Sequence, residues 1–136
     1  MIELTLDMAE RAAKAALAKA KQLGTVMTAS VVDESGRAVL MMRGDGAGFF
    51  SAETSRKKAV AAANFRKPTK DLGEQAAKGS PFWAAVPAAL AGEILPSIGA
   101  VPITKAGRVI GAIGCGGGTG EQDHECAEAG AAAVGA

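Results

Sequence analysis

Leu6, Ala9, Ala13, Leu17, Ala20 and Leu23 recur at spacings of three and four, which predicts an amphipathic helix from about residue 6 to 23. Thr5 stands where an N-cap belongs and Gly24 where the helix must stop. Val26 to Val32 is apolar and β-branched, Asp33-Glu34-Ser35-Gly36 is turn-forming, and Arg37 to Arg43 reads as the return strand. After the loop Gly44 to Gly48, a helix is predicted from about Phe50 to Phe65, cut by Pro68. Thr69 reads as the N-cap of a short helix through Ala77. Gly79, Pro81, Pro87, Gly92 and Pro96 make the next stretch irregular, with room for a short helix near Trp83 to Leu90. Val101 to Lys105 and Arg108 to Cys115 form a second hairpin around Ala106-Gly107. Thr119 and Gln122 have the spacing of a capping box, opening a last helix that runs to about Val134. Two hairpins interleaved with helices imply an antiparallel sheet with helices packed on it, an α+β domain.

Composition narrows the function classes. At 136 residues the chain is read as one domain, residues 1–136. Fifteen Lys and Arg against fourteen Asp and Glu give no basic face for nucleic acid and no polybasic membrane signal. The N-terminus from Met1 to Asp7 lacks the form of a secretory signal, and the apolar window Phe82 to Pro102 is broken by Glu93, Pro87 and Pro96. A cytoplasmic protein is the expectation. Four Phe, one Trp and no Tyr make a thin core, for which burial between subunits compensates, so a homo-oligomer, dimer or higher, is expected. Cys115 and Cys126 form no disulfide framework and read as small buried hydrophobes.

Chemistry concentrates in three places. The first is the corner Gly111 to Gly130, where an apolar strand runs through Gly114, Gly116, Gly117 and Gly118 into a helix start. Bare N–H groups there can face a ligand, or the glycines can let the helix press on the sheet. Glu121 and Asp123 already occupy the positive helix end, and no P-loop lysine follows the glycines, so phosphate is disfavoured. The second is Arg43 with Asp45, a guanidinium able to capture a carboxylate, or a pair that stabilises its own turn. The third is Lys58. Within Arg56-Lys57-Lys58 it alone has Ala61, Ala62 and Phe65 at i+3, i+4 and i+7, placing it towards the apolar face. It is read as a pocket lysine or as part of a solvated helix face. Asp123 and Cys126 share a helix face, but His124 lies nearly opposite Cys126, so these residues make no regular metal site. His124 remains a candidate axial ligand for haem iron, against the plain reading of a polar surface residue.

From Thr5 to about Ala133 the chain resembles the GlcG/HbpS family of small haem-associated domains, to which the C-terminal domain of PduO-type corrinoid adenosyltransferases is related. The resemblance rests on an ordered set. Val31-Val32-Asp33 with Gly36, Arg43-Gly44-Asp45-Gly46-Ala47, Lys58-Ala59 and Pro68-Thr69 come first. Gly99 to Ile103, Gly111 to Gly114 with Gly117-Gly118, Asp123 and Ala127 to Gly130 complete it. It implies a profilin-like fold, a five-stranded antiparallel sheet flanked by helices, assembled into dimers or larger oligomers. It implies a small-ligand-binding protein, for haem or another tetrapyrrole. Arg43, Asp45, Lys58, Gly117, Gly118 and Asp123 are then the ligand-binding candidates. The alternative is an enzyme or accessory protein acting on a small carboxylate or a diol- or glycerol-pathway metabolite, with Arg43 as anion anchor. The family usually has Val-Ser where Cys115-Gly116 stand here, so one hydroxyl of the corner is replaced.

Overall fold

Thr5 accepts the N–H of Met8 on its hydroxyl at 3.1 Å and opens α1 (Leu6–Gln22). The computed structural model describes residues 2–134; Met1 and residues 135–136, the ends of the single-domain reading, lie outside the described residues. The chain continues through β1 (Thr28–Asp33), β2 (Ala38–Arg43), α2 (Ser51–Phe65), α3 (Thr69–Ala77), α4 (Pro81–Ala89), β3 (Ala100–Lys105), β4 (Arg108–Gly116) and α5 (Gly120–Ala132). The buried stripe of α1 is alanine throughout (Ala9, Ala12, Ala13, Ala16, Ala20), while Leu6 of the predicted stripe stays exposed.

The fold is α+β, with one antiparallel sheet in the order β2-β1-β4-β3. The two hairpins therefore join through β1 and β4. The expected fifth strand is absent from the described residues. The stretch before β3 forms no strand, since Pro87 sits inside α4 and Pro96 has no N–H for a ladder. That stretch instead lies against α2, with the N–H of Leu95 donating to the Lys57 carbonyl at 3.3 Å.

Alternation along β4 separates two cores. Ile113 and Cys115 face α1 and α5 with Val31, Met27, Cys126 and Ala127. Ala112 and Gly114 face α2, beside Val32, Ala59, Ala62 and Ala63. A Cβ on Gly114 would overlap the Ser55 carbonyl oxygen, so the glycine sets how closely α2 approaches the sheet. Two hydroxyl pairs pin that contact, Thr28 with Ser51 and Ser30 with Ser55, each at 2.8 Å. Such burial of polar groups is tolerated because both are bonded. Thr69 departs from its predicted role. It is the first residue of α3, and its hydroxyl accepts the Ala100 N–H at 2.9 Å, fastening α3 to β3. Both edges of the sheet carry register breaks, at Val31/Val32 opposite β2 and at Ile103/Thr104 in β3, which discourage edge-to-edge pairing.

Candidate functional site

The helix phase of α2 turns Lys58 inwards, leaving Lys57 half-buried beside Glu53. With 7% of its surface exposed, Lys58 reaches past the end of the sheet to α5, on the opposite face. Its Nζ donates to Asp123 Oδ2 at 3.0 Å and to the Cys115 carbonyl at 3.2 Å. Asp123, 3% exposed, accepts the Gly118 N–H on its other oxygen at 3.0 Å. One ion pair thus ties α2, the last residues of β4, the glycine corner and α5 together. Burial pushes the Asp123 carboxyl upward, and the Lys58 charge and the Gly118 N–H pull it back without cancelling the rise.

The corner around this pair is filled. Gly99, at φ +138°, leaves the space through which the lysine passes; a Cβ there would lie 2.7 Å from Lys58 Nζ and 3.0 Å from the Asp123 Cβ. A Cβ on Gly117 would stand 2.8 Å from the Val26 carbonyl oxygen. The capping box at α5 is formed, with Thr119 accepting from the Gln122 N–H at 3.2 Å and Gln122 accepting from the Thr119 N–H at 2.9 Å. Lys58, Gly118 and Asp123 are therefore brought together, and Gly117 lies beside them. The sequence singled out these residues but gave no role to Gly99 or to the Cys115 carbonyl. The run from Gly99 into β3 was visible as a motif, while its function depends on a contact with distant α2.

Arg43 and Asp45 lie elsewhere. Thr28 of β1 is in register with Arg43 on one side and Gly116 on the other, so Arg43 is two strands from the corner. Among the described residues no hydrogen bond or ion pair joins Arg43 or Asp45 to each other, to Lys58 or to Asp123. Both are exposed, and Asp45 with Gly44 and Met27 lines a shallow cavity of about 340 Å³.

His124 sits on the first turns of α5. Its Nδ1 is buried with no hydrogen-bond partner, and its Nε2 lies 3.5 Å from Glu128 Oε1. A metal would reach this imidazole through Nε2. Cys115 and Cys126 are free and buried; loss of hydration raises both thiols, Cys126 to about 11. Among the described residues no group of three or more His, Cys, Asp or Glu is placed to hold a metal ion, and no helix is long and apolar enough to cross a membrane.

A cavity lined by aromatic side chains lies at the far end of α2. Phe65, Phe82, Val86, Ala89, Leu90 and Ile94 line a hollow of about 320 Å³.

Comparison with known proteins gives a consistent result. The family described as haem degrading protein HbpS-like has a model that matches residues 4–132. An uncharacterized 15.0 kDa protein in the dhaT-dhaS intergenic region of Citrobacter freundii is 34% identical over 125 residues, covering 92% of this chain and 87% of that protein. The corrinoid adenosyltransferase PduO of Salmonella typhimurium is 29% identical over 121 residues, which is 89% of this chain but 36% of PduO. The chain therefore spans little more than a third of that enzyme. Among solved structures, a double mutant of Streptomyces reticuli HbpS superposes with a TM-score of 0.87 at 33% identity, covering 100% of this chain and 90% of that one. A PduOC:heme complex superposes with a TM-score of 0.88 at 27% identity, covering 98% of this chain and 96% of that one.

Proposed function

The chain belongs to the HbpS-like family, and on that premise we propose that it is a small-ligand-binding module for haem or another tetrapyrrole. The observation carrying this reading is the match, over nearly the whole chain, to a relative solved as a heme complex. We also read residues 1–136 as one domain of profilin-like type that functions as a homo-oligomer. A cytoplasmic setting is supported by two thiols left free.

His124 is the residue that would hold the iron, through Nε2, which lies 3.5 Å from Glu128 Oε1; its Nδ1 is buried without the acceptor that usually orients a metal-bound imidazole, so the fit is incomplete on that side. Haem, when bound, supplies a redox-active iron. Arg43, exposed and in no ion pair among the described residues, would hold a carboxylate at the periphery. Lys58 and Asp123 neutralise each other and hold the corner of Gly117 and Gly118 in shape. Their part in binding is to fix the frame. The same Arg43 supports a second reading, an accessory or enzymatic role on a small carboxylate.

Hemin titration of the purified chain tests the proposal. A shifted Soret band that saturates at micromolar hemin is expected, and His124→Ala should change its position and weaken binding. No shift would overturn the haem reading. Saturable binding of a short hydroxy acid, lost in Arg43→Ala, would then favour the second.

A further inference from the structure

Phe49 and Phe50 stand in the loop before α2, 86% and 72% exposed, with their rings packed edge to face at 5.0 Å. Two adjacent phenylalanines held in water are costly unless something covers them. At the other end of α2 the aromatic hollow has the opposite shape. Phe65 packs against Phe82 at 6.2 Å and against Trp83 at 5.3 Å. Phe82 itself is 58% exposed, and of all α4 only Val86 is buried. An apolar helix with one buried residue is an unfinished contact.

Resting on the oligomeric part of the reading above, we infer that this hollow receives Phe49 and Phe50 of a second copy of this chain. The first argument is reach. Knob and hollow are separated by the 15 residues of α2, about 22 Å at 1.5 Å per residue, so a chain cannot fill its own hollow. The second is symmetry. With knob and hollow at opposite ends of one helix, a two-fold axis passing beside the middle of α2 sets the two helices antiparallel, makes both contacts at once and closes the pair. The third is chemistry: knob and hollow are both aromatic, and the edge-to-face packing found within each can continue across the contact. Aromatic anchors seated in a pocket are the side chains that dominate interfaces.

The test uses two surface variants of the full chain, with mass by light scattering and folding by circular dichroism. Phe49→Ser with Phe50→Ser removes the knob. Ala89→Trp fills the hollow, and Phe82→Lys takes its place if the tryptophan disturbs folding. The wild type should have the mass of a dimer or higher oligomer. Each variant alone should dissociate with a constant raised about a thousandfold, because the two-fold arrangement removes both contacts at once. An equimolar mixture should regain association, because one intact knob then meets one intact hollow. Variants that associate as the wild type does, or a mixture no better than its components, would overturn the assigned surface while leaving the oligomer. A monomeric wild type would overturn both. Hemin titration of the same samples reports the ligand reading separately.

Discussion

At 3.0 Å from each other and nearly closed to water, the Lys58 ammonium and the Asp123 carboxylate have each given up hydration that the partner's charge replaces, helped by the Cys115 carbonyl on one side and the Gly118 N–H on the other. Removing one leaves an uncompensated buried charge; removing both leaves only those two backbone groups without their side-chain partners. Lys58→Met or Asp123→Leu alone should therefore cost about 3–5 kcal/mol, and the double variant much less than the two together. Urea unfolding of the four proteins checks this, and additive losses would show that the groups are not coupled. Helix phase alone distinguished Lys58 from Lys57, because apolar residues lie one and two turns beyond it. Its partner was not legible. Asp123 is 65 residues away, and its own neighbourhood suggested a metal or haem role through Cys126 and His124. Phosphate is disfavoured at the α5 start, since Asp123 is the anion that already takes the Gly118 N–H.

Hairpins were the most readable elements, since their turns are determined by a few adjacent residues. In the first, Asp33 Oδ1 accepts the Ser35 N–H at 3.0 Å, the Ser35 hydroxyl at 2.8 Å and the Arg37 N–H at 2.9 Å. Burial raises this carboxyl, but the Arg37 N–H and the two Ser35 donors together outweigh it and hold Asp33 below its ordinary 3.8. The folded state then binds fewer protons than the unfolded state in that range, so stability is gained as pH rises through it. Asp33→Ala should cost about 1 kcal/mol at neutral pH. The difference from wild type should stay constant above 3.8 and shrink as pH falls through the folded value. Denaturant melts across the acid range measure it; a gap that widens on acidification would refute the assigned role. Elsewhere local signals failed where tertiary contacts decide. Thr69 has the sequence of a cap, yet its hydroxyl serves Ala100 of β3. The stretch before β3 reads as irregular with a short helix near Trp83 to Leu90; that helix is present as α4, while the chain after it is placed by the bond from Leu95 to the Lys57 carbonyl of distant α2.

Across the whole molecule, α1 buries only alanine and α2 mostly alanine, while the larger core side chains such as Val31, Ile103 and Ile113 stand on the strands, so these helices are held by many shallow contacts and few deep ones. The question this raises is whether α5 can leave by itself. Three features oppose it: the ion pair to α2, the Lys19–Glu125 pair to α1 at 3.4 Å, and Gly130, where a Cβ would stand 2.6 Å from Ile113 Cδ1 and 2.7 Å from the Ala12 carbonyl oxygen. The cysteines report directly on this, because Cys115 lies on central β4 and Cys126 on α5, within one apolar cluster. Desolvation holds both thiols well above their ordinary value, Cys126 at about 11, so neither offers thiolate to a reagent while the chain is folded. Alkylation must then wait for opening. If the chain is a single cooperative unit, the two sites should be blocked at the same slow rate. Both rates should rise with urea as steeply as global unfolding does. Mass spectrometry of partially alkylated protein resolves the two sites. Modification of Cys126 well ahead of Cys115 would mean that α5 detaches while the sheet remains, and would place the Lys58–Asp123 contact among the weaker links of the fold.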